Sequence, residues 1–258
     1  MSNNNLVRYT DKTVLVTGAG SGIGQATALR LLKEDANVIA VDITAEGLKK
    51  TAALASDIGL DKNITLVTAD ISDEQSVKTN IFEAVKNAKK LDVLVNAAGI
   101  IRTEHTHKTS LQLWNEVITV NLTGTFLVTK ELIPFIIDSK GVIVNFSSTS
   151  ASFAHPYMAA YSASKGGIQS FTHTIASEYS KQGVRAVSVV PGGVQTGITN
   201  NLVFPKGADQ SLYAKLTPGI GEGLVSPDAI AGVIAMLASE DGSFITGTEI
   251  RIDGGTHM

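Results

Sequence analysis

The chain has 258 residues, 43% of them hydrophobic, and a formal net charge of -3. So small a charge, with no block of Lys and Arg, argues against a nucleic-acid partner. The lack of cysteine excludes disulfides and thiolate chemistry. The N-terminus has no apolar h-region, and the longest apolar run, 229–238, is shorter than a membrane span. The sequence therefore predicts a cytoplasmic protein that has no membrane partner.

Short apolar runs alternate with helical patterns along the chain. The predicted strands are 13–17, 37–42, 64–68, 92–96, 141–147, 184–190 and 248–252. The predicted helices follow the turn at 17–24, start near 44 and 73, run from 110 into the 130s, and cover about 158–180 and 227–238. Nearly continuous apolar strands indicate a sheet covered on both faces. The pattern predicts one α/β domain over 1–258, with a doubly wound parallel sheet of about seven strands.

The segment 191–226 shows no regular pattern and is too long for a simple connection. Insertions of this length in compact domains are usually lids or binding loops. We therefore expect a substrate-binding loop or lid over about 195–225.

Glycines crowd the turn after the first predicted strand, in VTGAGSGIGQATALRLL. Glycine allows a sharp turn and close approach of a pyrophosphate, and the next helix offers free N–H groups to it. The spacing Gly18, Gly22, Gly24 fits such a loop, whereas G-x-G-x-x-G started at Gly18 fails at Ile23. A turn that binds nothing is the alternative. The strand before it and the helix after it favour a dinucleotide site.

Asp42 ends the second predicted strand, where a carboxylate would lie beside an adenosine ribose. A 2′-phosphate there would be repelled, which favours NAD(H) over NADP(H). Ser21 in the loop and Ile43 after Asp42 offer no compensating base. The alternative is that Asp42 caps the next helix, although Thr44 also suits that position.

The stretch HPYMAAYSASKGG, residues 155–167, contains two tyrosines and one lysine. On a helix, Tyr161 and Lys165 are i, i+4 neighbours. A phenol has a pKa of about 10, and a fixed ammonium nearby favours the phenolate. Tyr157 has no such cation, so Tyr161 is the candidate acid/base and Tyr157 a pocket wall. The alternative is two amphipathic core residues and a solvated lysine.

Ser147 and Ser148 end the next strand upstream, at the carboxyl edge where doubly wound sheets bind ligands. With these pieces, essentially the whole chain resembles the short-chain dehydrogenase/reductase family. The matching motifs are TGAGSGIG (17–24), Asp70, NAAG (96–99), Asn121 in TVNLTGTF, Ser148, Tyr161-x-x-x-Lys165, PGGVQT (191–196) and ITGTEIRIDGG near the C-terminus.

The resemblance implies a Rossmann-type sheet of strand order 3-2-1-4-5-6-7 and hydride exchange between NAD(H) and a carbonyl or alcohol carbon. It assigns proton transfer to Tyr161 and carbonyl orientation to Ser148. It implies that Lys165 holds the nicotinamide ribose and lowers the pKa of Tyr161. Asn121 would help to hold a water that links the lysine to solvent. The resemblance also implies a homotetramer.

The family roles extend to a larger set of positions. The expected cofactor contacts are Gly18, Ser21, Gly22, Ile23, Gly24, Asp42, Ile43, Asp70, Ile71, Asn96, Ala97, Gly99, Tyr161, Lys165, Pro191, Gly192, Val194 and Thr196. Within this set, Asp70 and Ile71 would flank the adenine. The expected substrate contacts are Ser148, Ser150, Tyr157 and Tyr161.

The substrate class stays open at this stage. The predicted pocket segments favour a moderately apolar ketone or secondary alcohol, such as a polyol, a cyclic or steroid-like alcohol, or a 3-oxoacyl thioester. A redox-sensing module that binds NAD(H) without catalysis is the alternative in another class. His105 and His107 are read as a polar loop rather than a metal site, since a structural zinc needs about four ligands. His155 is a candidate substrate contact.

Overall fold

The computed structural model describes residues 7–213, 216–221 and 223–258. Its strands form one parallel sheet in the order β3-β2-β1-β4-β5-β6-β7. They are β1 (Thr13–Thr17), β2 (Asn37–Asp42), β3 (Ile64–Thr68), β4 (Val93–Asn96), β5 (Val142–Phe146), β6 (Arg185–Pro191) and β7 (Thr248–Ile252). This order confirms the predicted Rossmann-type, doubly wound fold, and the strand ends agree with the predicted ones to within about one residue.

Helices cover both faces of the sheet. They are α1 (Gly22–Lys33), α2 (Ala45–Asp57), α3 (Glu74–Ser76), α4 (Glu83–Ala88), α5 (Leu111–Ile118), α6 (Gly124–Ser139), α7 (Ala159–Glu178), α8 (Gly197–Asn200) and α9 (Pro227–Leu237). A wide π turn, Val77–Phe82, joins α3 to α4, and another, Thr119–Thr123, joins α5 to α6. The predicted helix that runs from 110 into the 130s is therefore continuous but contains one non-α turn.

The sheet separates two apolar cores. Val14 and Val16 of β1 pack in the core under α1 and α9, whereas Leu15 packs in the core under α6. Successive strand residues point to opposite faces, so both sets must be apolar. Full burial of one such side chain contributes about 1.5–3 kcal/mol. This two-sided burial explains why the strands read as continuous apolar runs.

A chain of buried polar side chains crosses the middle of the sheet. Asn96 Nδ2 donates to Asn145 Oδ1 at 2.8 Å, and Asn145 Nδ2 donates to Thr172 Oγ1 at 2.9 Å. Ser188 Oγ donates to the same Thr172 hydroxyl at 3.0 Å. The chain ties β4, β5, α7 and β6 together. It also places the Asn96 side chain in the core, 3% exposed, rather than beside a cofactor as expected.

Within the described residues, Leu111–Ser139 is the one helix long and apolar enough, by length and composition, to cross a membrane. Its most apolar window has a mean hydropathy of 1.3, and 44% of that window is buried in the fold. This helix contains α5 and α6, and α6 packs on β4 and β5. A helix packed in this way against a sheet meets the same length and composition criteria as a membrane span.

Candidate active site

A cavity of about 450 Å³ opens at the carboxyl edge of the sheet. Every expected cofactor contact except Asn96 lines it, and so does Ser148. The parallel strands bring these residues together because their carboxyl ends share one edge, where ligands of doubly wound sheets bind. The lining also includes Val120 and Phe146, which the sequence had not indicated, and Ile198 and Thr199 from the predicted loop 195–225.

The glycine turn wraps tightly around the start of α1. Gly18 and Gly22 have φ of 69° and 55°, in the left-handed region that favours glycine. A Cβ on Gly24 would lie 2.1 Å from the Gly18 carbonyl oxygen, so only glycine lets α1 approach the turn. The first N–H groups of a helix lack intrahelical partners, and the Ser21 side chain does not cap them. This end of α1 lines the cavity and suits an anion.

Asp42 is held at the cavity by hydrogen bonds from two segments. Its Oδ2 accepts from Gly20 N at 2.9 Å, and its Oδ1 accepts from Thr44 N at 2.9 Å and Thr44 Oγ1 at 2.7 Å. Thr44 is the N-cap residue of α2. The two interpretations of Asp42 are therefore compatible, since the carboxylate supports the start of α2 and also lines the cavity.

Tyr161 and Lys165 occupy one face of α7, next to the end of β5. Lys165 Nζ donates to Phe146 O at 2.8 Å and lies 5.6 Å from the centre of the Tyr161 ring. Ser147 Oγ donates to Lys165 O at 3.0 Å, which fixes α7 against the strand end. The Ser148 hydroxyl lines the same cavity and acts to lower the pKa of the Tyr161 phenol. Serine, phenol and ammonium thus converge on one wall of the cavity.

Burial governs the protonation of this group. It raises the pKa of Tyr161, and the nearby Ser148 hydroxyl offsets only part of the rise. Burial also lowers the pKa of Lys165 to about 8. The protein's own groups therefore do not lower the pKa of Tyr161, because burial raises it by more than Ser148 lowers it. At neutral pH the phenol keeps its proton.

Asn121 lies in the π turn Thr119–Thr123, is fully buried, and hydrogen-bonds to residues on both sides of it in the fold. Its Oδ1 accepts from Ile100 N at 2.8 Å, and its Nδ2 donates to Ile100 O at 2.9 Å and to Ser164 Oγ at 3.1 Å. A Cβ on Gly99 would lie 3.2 Å from Asn121 Oδ1 and 3.5 Å from Lys165 Nζ. The side chain is therefore behind the cavity wall, where it joins the loop after β4 to α7.

Three expected or candidate substrate contacts lie outside the cavity lining. The Ser150 side chain is buried, at 4% exposure. His155 Nε2 hydrogen-bonds with Thr149 Oγ1 at 3.2 Å. The Tyr157 hydroxyl accepts from Asp209 N at 2.8 Å. Tyr157 was expected as a pocket wall, but its left-handed backbone, with φ of 64°, turns the ring toward the segment around 209 instead.

The two histidines discounted as metal ligands, His105 and His107, have ring centres 5.7 Å apart. Among the residues that the structure describes, no group of three or more His, Cys, Asp and Glu side chains is arranged to hold a metal ion.

Thr199, in the predicted loop 195–225, lines the cavity at a short helix that the sequence did not predict. Thr196 caps α8 by accepting from Thr199 N, and the Thr199 hydroxyl accepts from Thr196 N in return, at 3.0 Å. Thr199 Oγ1 also donates to Val194 O at 2.5 Å. A threonine three residues after another threonine was the available signal for a helix start, but it lay in a segment with no periodic pattern.

The fold and the cavity agree with the comparisons to known proteins. The family model for short chain dehydrogenases matches residues 12–205. The 3-oxoacyl-(acyl-carrier-protein) reductase FabG of Thermotoga maritima is 36% identical over 251 residues, which cover 96% of this chain and 99% of the relative.

Solved structures give the same result. Levodione reductase superposes with a TM-score of 0.87 at 30% identity, covering 96% of this chain and 98% of that one. A 3-ketoacyl-(acyl-carrier-protein) reductase from Brucella melitensis complexed with NADH gives 0.85 at 31% identity, with coverage of 96% and 99%. The chain therefore belongs to the short-chain dehydrogenase family of oxidoreductases.

Proposed function

We propose that the protein is an NAD(H)-dependent oxidoreductase that interconverts a ketone and a secondary alcohol. The convergence of Ser148, Tyr161 and Lys165 on one cavity carries this proposal, because a protein that only binds a dinucleotide has no need for the three together. When bound, the nicotinamide accepts or supplies the hydride. The lining fits such a group: the start of α1 would hold the pyrophosphate and Asp42 the adenosine ribose.

Tyr161 acts as the general acid in ketone reduction. Burial keeps its phenol protonated, so the proton is available when negative charge develops on the carbonyl oxygen. Ser148 Oγ orients that oxygen beside the phenol. In alcohol oxidation the same phenol must first lose its proton, which its raised pKa opposes. The protonated phenol is thus ready for ketone reduction, whereas alcohol oxidation begins with the loss of its proton.

Lys165 supports the phenol from the cofactor side. Its Nζ, held by Phe146 O and adjacent to Gly99, is placed to donate to a ribose hydroxyl at the inner end of the cavity. With a pKa of about 8 the ammonium is mostly charged at pH 7 and can return a proton toward Tyr161. Asn121 holds the loop after β4 against α7 on this side of the cavity through its bonds to Ile100 and Ser164.

The ligand names of the relatives support a ketone substrate and NAD(H). Two are named as reductases of 3-oxoacyl or 3-ketoacyl groups, one of these contains NADH, and a third is named for levodione. We propose a small cyclic ketone or a 3-oxoacyl thioester as the substrate class. Residues about 195–225 would form the substrate lid, since Ile198 and Thr199 of α8 already line the cavity.

The test is the loss of NADH absorbance across a panel of carbonyls that includes cyclic diketones, 3-oxoacyl thioesters and sugars. Turnover of at least one ketone that is lost in Tyr161→Phe supports the proposal. Tight NADH binding with no turnover of any carbonyl would instead indicate a non-catalytic redox sensor.

A further inference from the structure

Four aromatic side chains join the stretch before Tyr161 to the proposed lid. They are His105, Tyr157, Phe204 and Tyr213, and we name this cluster the aromatic latch. The His105 and Tyr157 rings meet edge to face with centres 5.0 Å apart, and Tyr157 stacks near Tyr213 at 6.1 Å. Phe204 contacts Tyr213 at 4.4 Å. Rings at these separations attract one another beyond simple area burial.

The two tyrosine hydroxyls of the latch also make hydrogen bonds between the stretch 156–157 and the segment 203–213. The Tyr157 hydroxyl accepts from Asp209 N at 2.8 Å. In the opposite direction, the Tyr213 hydroxyl donates to Pro156 O at 2.7 Å. The stretch 156–157 and the segment 203–213 are therefore joined through both tyrosines, one contributed by each side.

The loop after β4 supplies a second set of bonds to the same segment. His105 Nε2 lies 3.1 Å from Lys206 O, and the Thr103 hydroxyl donates to Val203 O. The ties between segment 203–213 and the body of the protein thus come from two loops that border the cavity.

The backbone at Tyr157 is the strained point of the latch. Its φ of 64° is uncommon for a bulky residue. Tyr157 O accepts from Glu104 N at 2.9 Å, so the conformation is held on its backbone side as well as through the ring. Strain of this kind persists only where surrounding contacts impose it, and it occurs mostly at ligand clamps and active sites.

We propose that Tyr157 is a positioning residue that holds segment 203–213 against the substrate side of the cavity. It acts through α8, which lies just before this segment and carries Ile198 and Thr199 into the cavity lining. It takes no part in proton transfer, because it lies outside the cavity lining that contains Ser148, Tyr161 and Lys165. The expected effect on ketone binding during turnover rests on the proposed oxidoreductase function. The expected effect on the stability of segment 203–213 does not.

The mechanical consequence is tested without cofactor or substrate by amide hydrogen exchange. Tyr157→Phe keeps the ring and removes the acceptor of the Asp209 amide. We expect exchange at Asp209 to accelerate about three- to ten-fold, as the loss of one hydrogen bond predicts. Tyr179→Phe, a phenol outside the latch, should leave exchange at Asp209 unchanged. Equal exchange in Tyr157→Phe and wild type would overturn the proposal.

The positioning role predicts that replacing Tyr157 changes KM for the ketone but not kcat. In Tyr157→Phe, KM for the ketone should rise about three- to ten-fold, while kcat and KM for NADH stay within about two-fold. A fall in kcat with KM unchanged would mean that Tyr157 serves the chemistry, which would refute a positioning role. Tyr157→Asn, which tolerates the left-handed backbone but lacks the ring, should raise KM further.

The two readouts separate this proposal from the function on which its kinetic part rests. If the wild type turns over no ketone, the oxidoreductase proposal fails, and exchange at Asp209 alone decides whether the latch holds the segment. Faster exchange together with an unchanged KM for every ketone accepted would show that the latch does not position substrate.

Discussion

Lys165 Nζ lies over the face of the Tyr161 ring, 5.6 Å from its centre, while its hydrogen bond goes to Phe146 O. The ammonium is therefore close enough to interact with the phenol but is not bonded to its oxygen. The Ser148 hydroxyl lowers the pKa of the phenol, but by less than burial raises it. The protein alone holds Tyr161 as an acid rather than a base.

The pH dependence of the two directions should differ for this reason. Tyr161 keeps its proton in this range, but Lys165 discharges as pH rises above about 8, so kcat/KM for ketone reduction should fall there. Alcohol oxidation needs the phenolate and should accelerate over the same range. Initial rates in both directions from pH 6 to 10 test this. Parallel profiles would show that another group controls proton transfer.

Replacing the two tyrosines should give opposite results. Tyr161→Phe removes the acid and should lower kcat at least about 100-fold, within the usual contribution of general acid catalysis. NADH affinity, measured by fluorescence or calorimetry, should change little. Tyr157→Phe should keep a kcat near that of the wild type. An active Tyr161→Phe beside an inactive Tyr157→Phe would reverse the assignment.

Asp42 should select NAD(H). A 2′-phosphate about 4 Å away would be repelled by about 4 kcal/mol at an effective dielectric of 20. Screening reduces this, so we expect a preference of about 30- to 150-fold in kcat/KM. Asp42→Asn removes the charge but keeps one acceptor oxygen, which can retain the bonds from Thr44 and not also the one from Gly20, so it is a milder comparison for Asp42→Ala. An unchanged cofactor ratio in both variants would exclude Asp42 as the selector.

His155 should make the fold sensitive to acid. Burial, with a smaller contribution from His257, lowers the pKa of His155 to about 4. The unfolded chain binds the proton more readily, so stability falls as pH drops from about 6.5 to 4. Allowing for partial exposure, we expect a loss of about 1–2 kcal/mol. Urea unfolding at pH 7 and 4.5 measures it.

His155→Gln should lose less stability between these two pH values than the wild type, because it has no proton to bind. His107→Gln replaces an exposed histidine and should lose as much stability as the wild type. An identical pH dependence in all three proteins would assign the acid sensitivity elsewhere.

Exposed apolar side chains on the long helix support the predicted homotetramer. Leu111 is 73% exposed, Trp114 36% and Phe126 44%, and the Phe126 ring lies 6.0 Å from that of Phe171. An apolar patch of this kind is typical of an interface between copies. Light scattering should give about four times the 27.0 kDa chain mass. A stable monomer at low concentration would refute this.

A charge placed on that surface should weaken the assembly. Phe126→Glu is expected to lower the mass toward dimer or monomer. Leu54→Glu, which alters a side chain 42% exposed on α2, is the matched control and should leave the mass unchanged. A tetramer that survives Phe126→Glu would place the interface on another face.

The sheet and most of the cavity could be predicted from the sequence because they depend on local patterns. Apolar runs fixed the strands, and glycine spacing marked the loop around Gly18. Asn96 could not be placed, because the face of the sheet that a strand residue joins depends on the register of its neighbours. Tyr157 was misplaced because nothing in its sequence neighbourhood signals a positive φ. Asn121 was expected in the site but lies behind the cavity wall, because its partners depend on how α7 packs.

The π turn Thr119–Thr123 has a consequence for insertions and deletions. Each residue of an α-helix turns the chain by about 100°. Deleting one residue to restore a regular helix would rotate Leu111–Ile118 by about that angle relative to α6. Trp114 would leave its present face, and Asn121 would swing away from Ile100 and Ser164. Side-chain substitutions in this turn, other than at Asn121, are thus expected to be milder than a change of chain length.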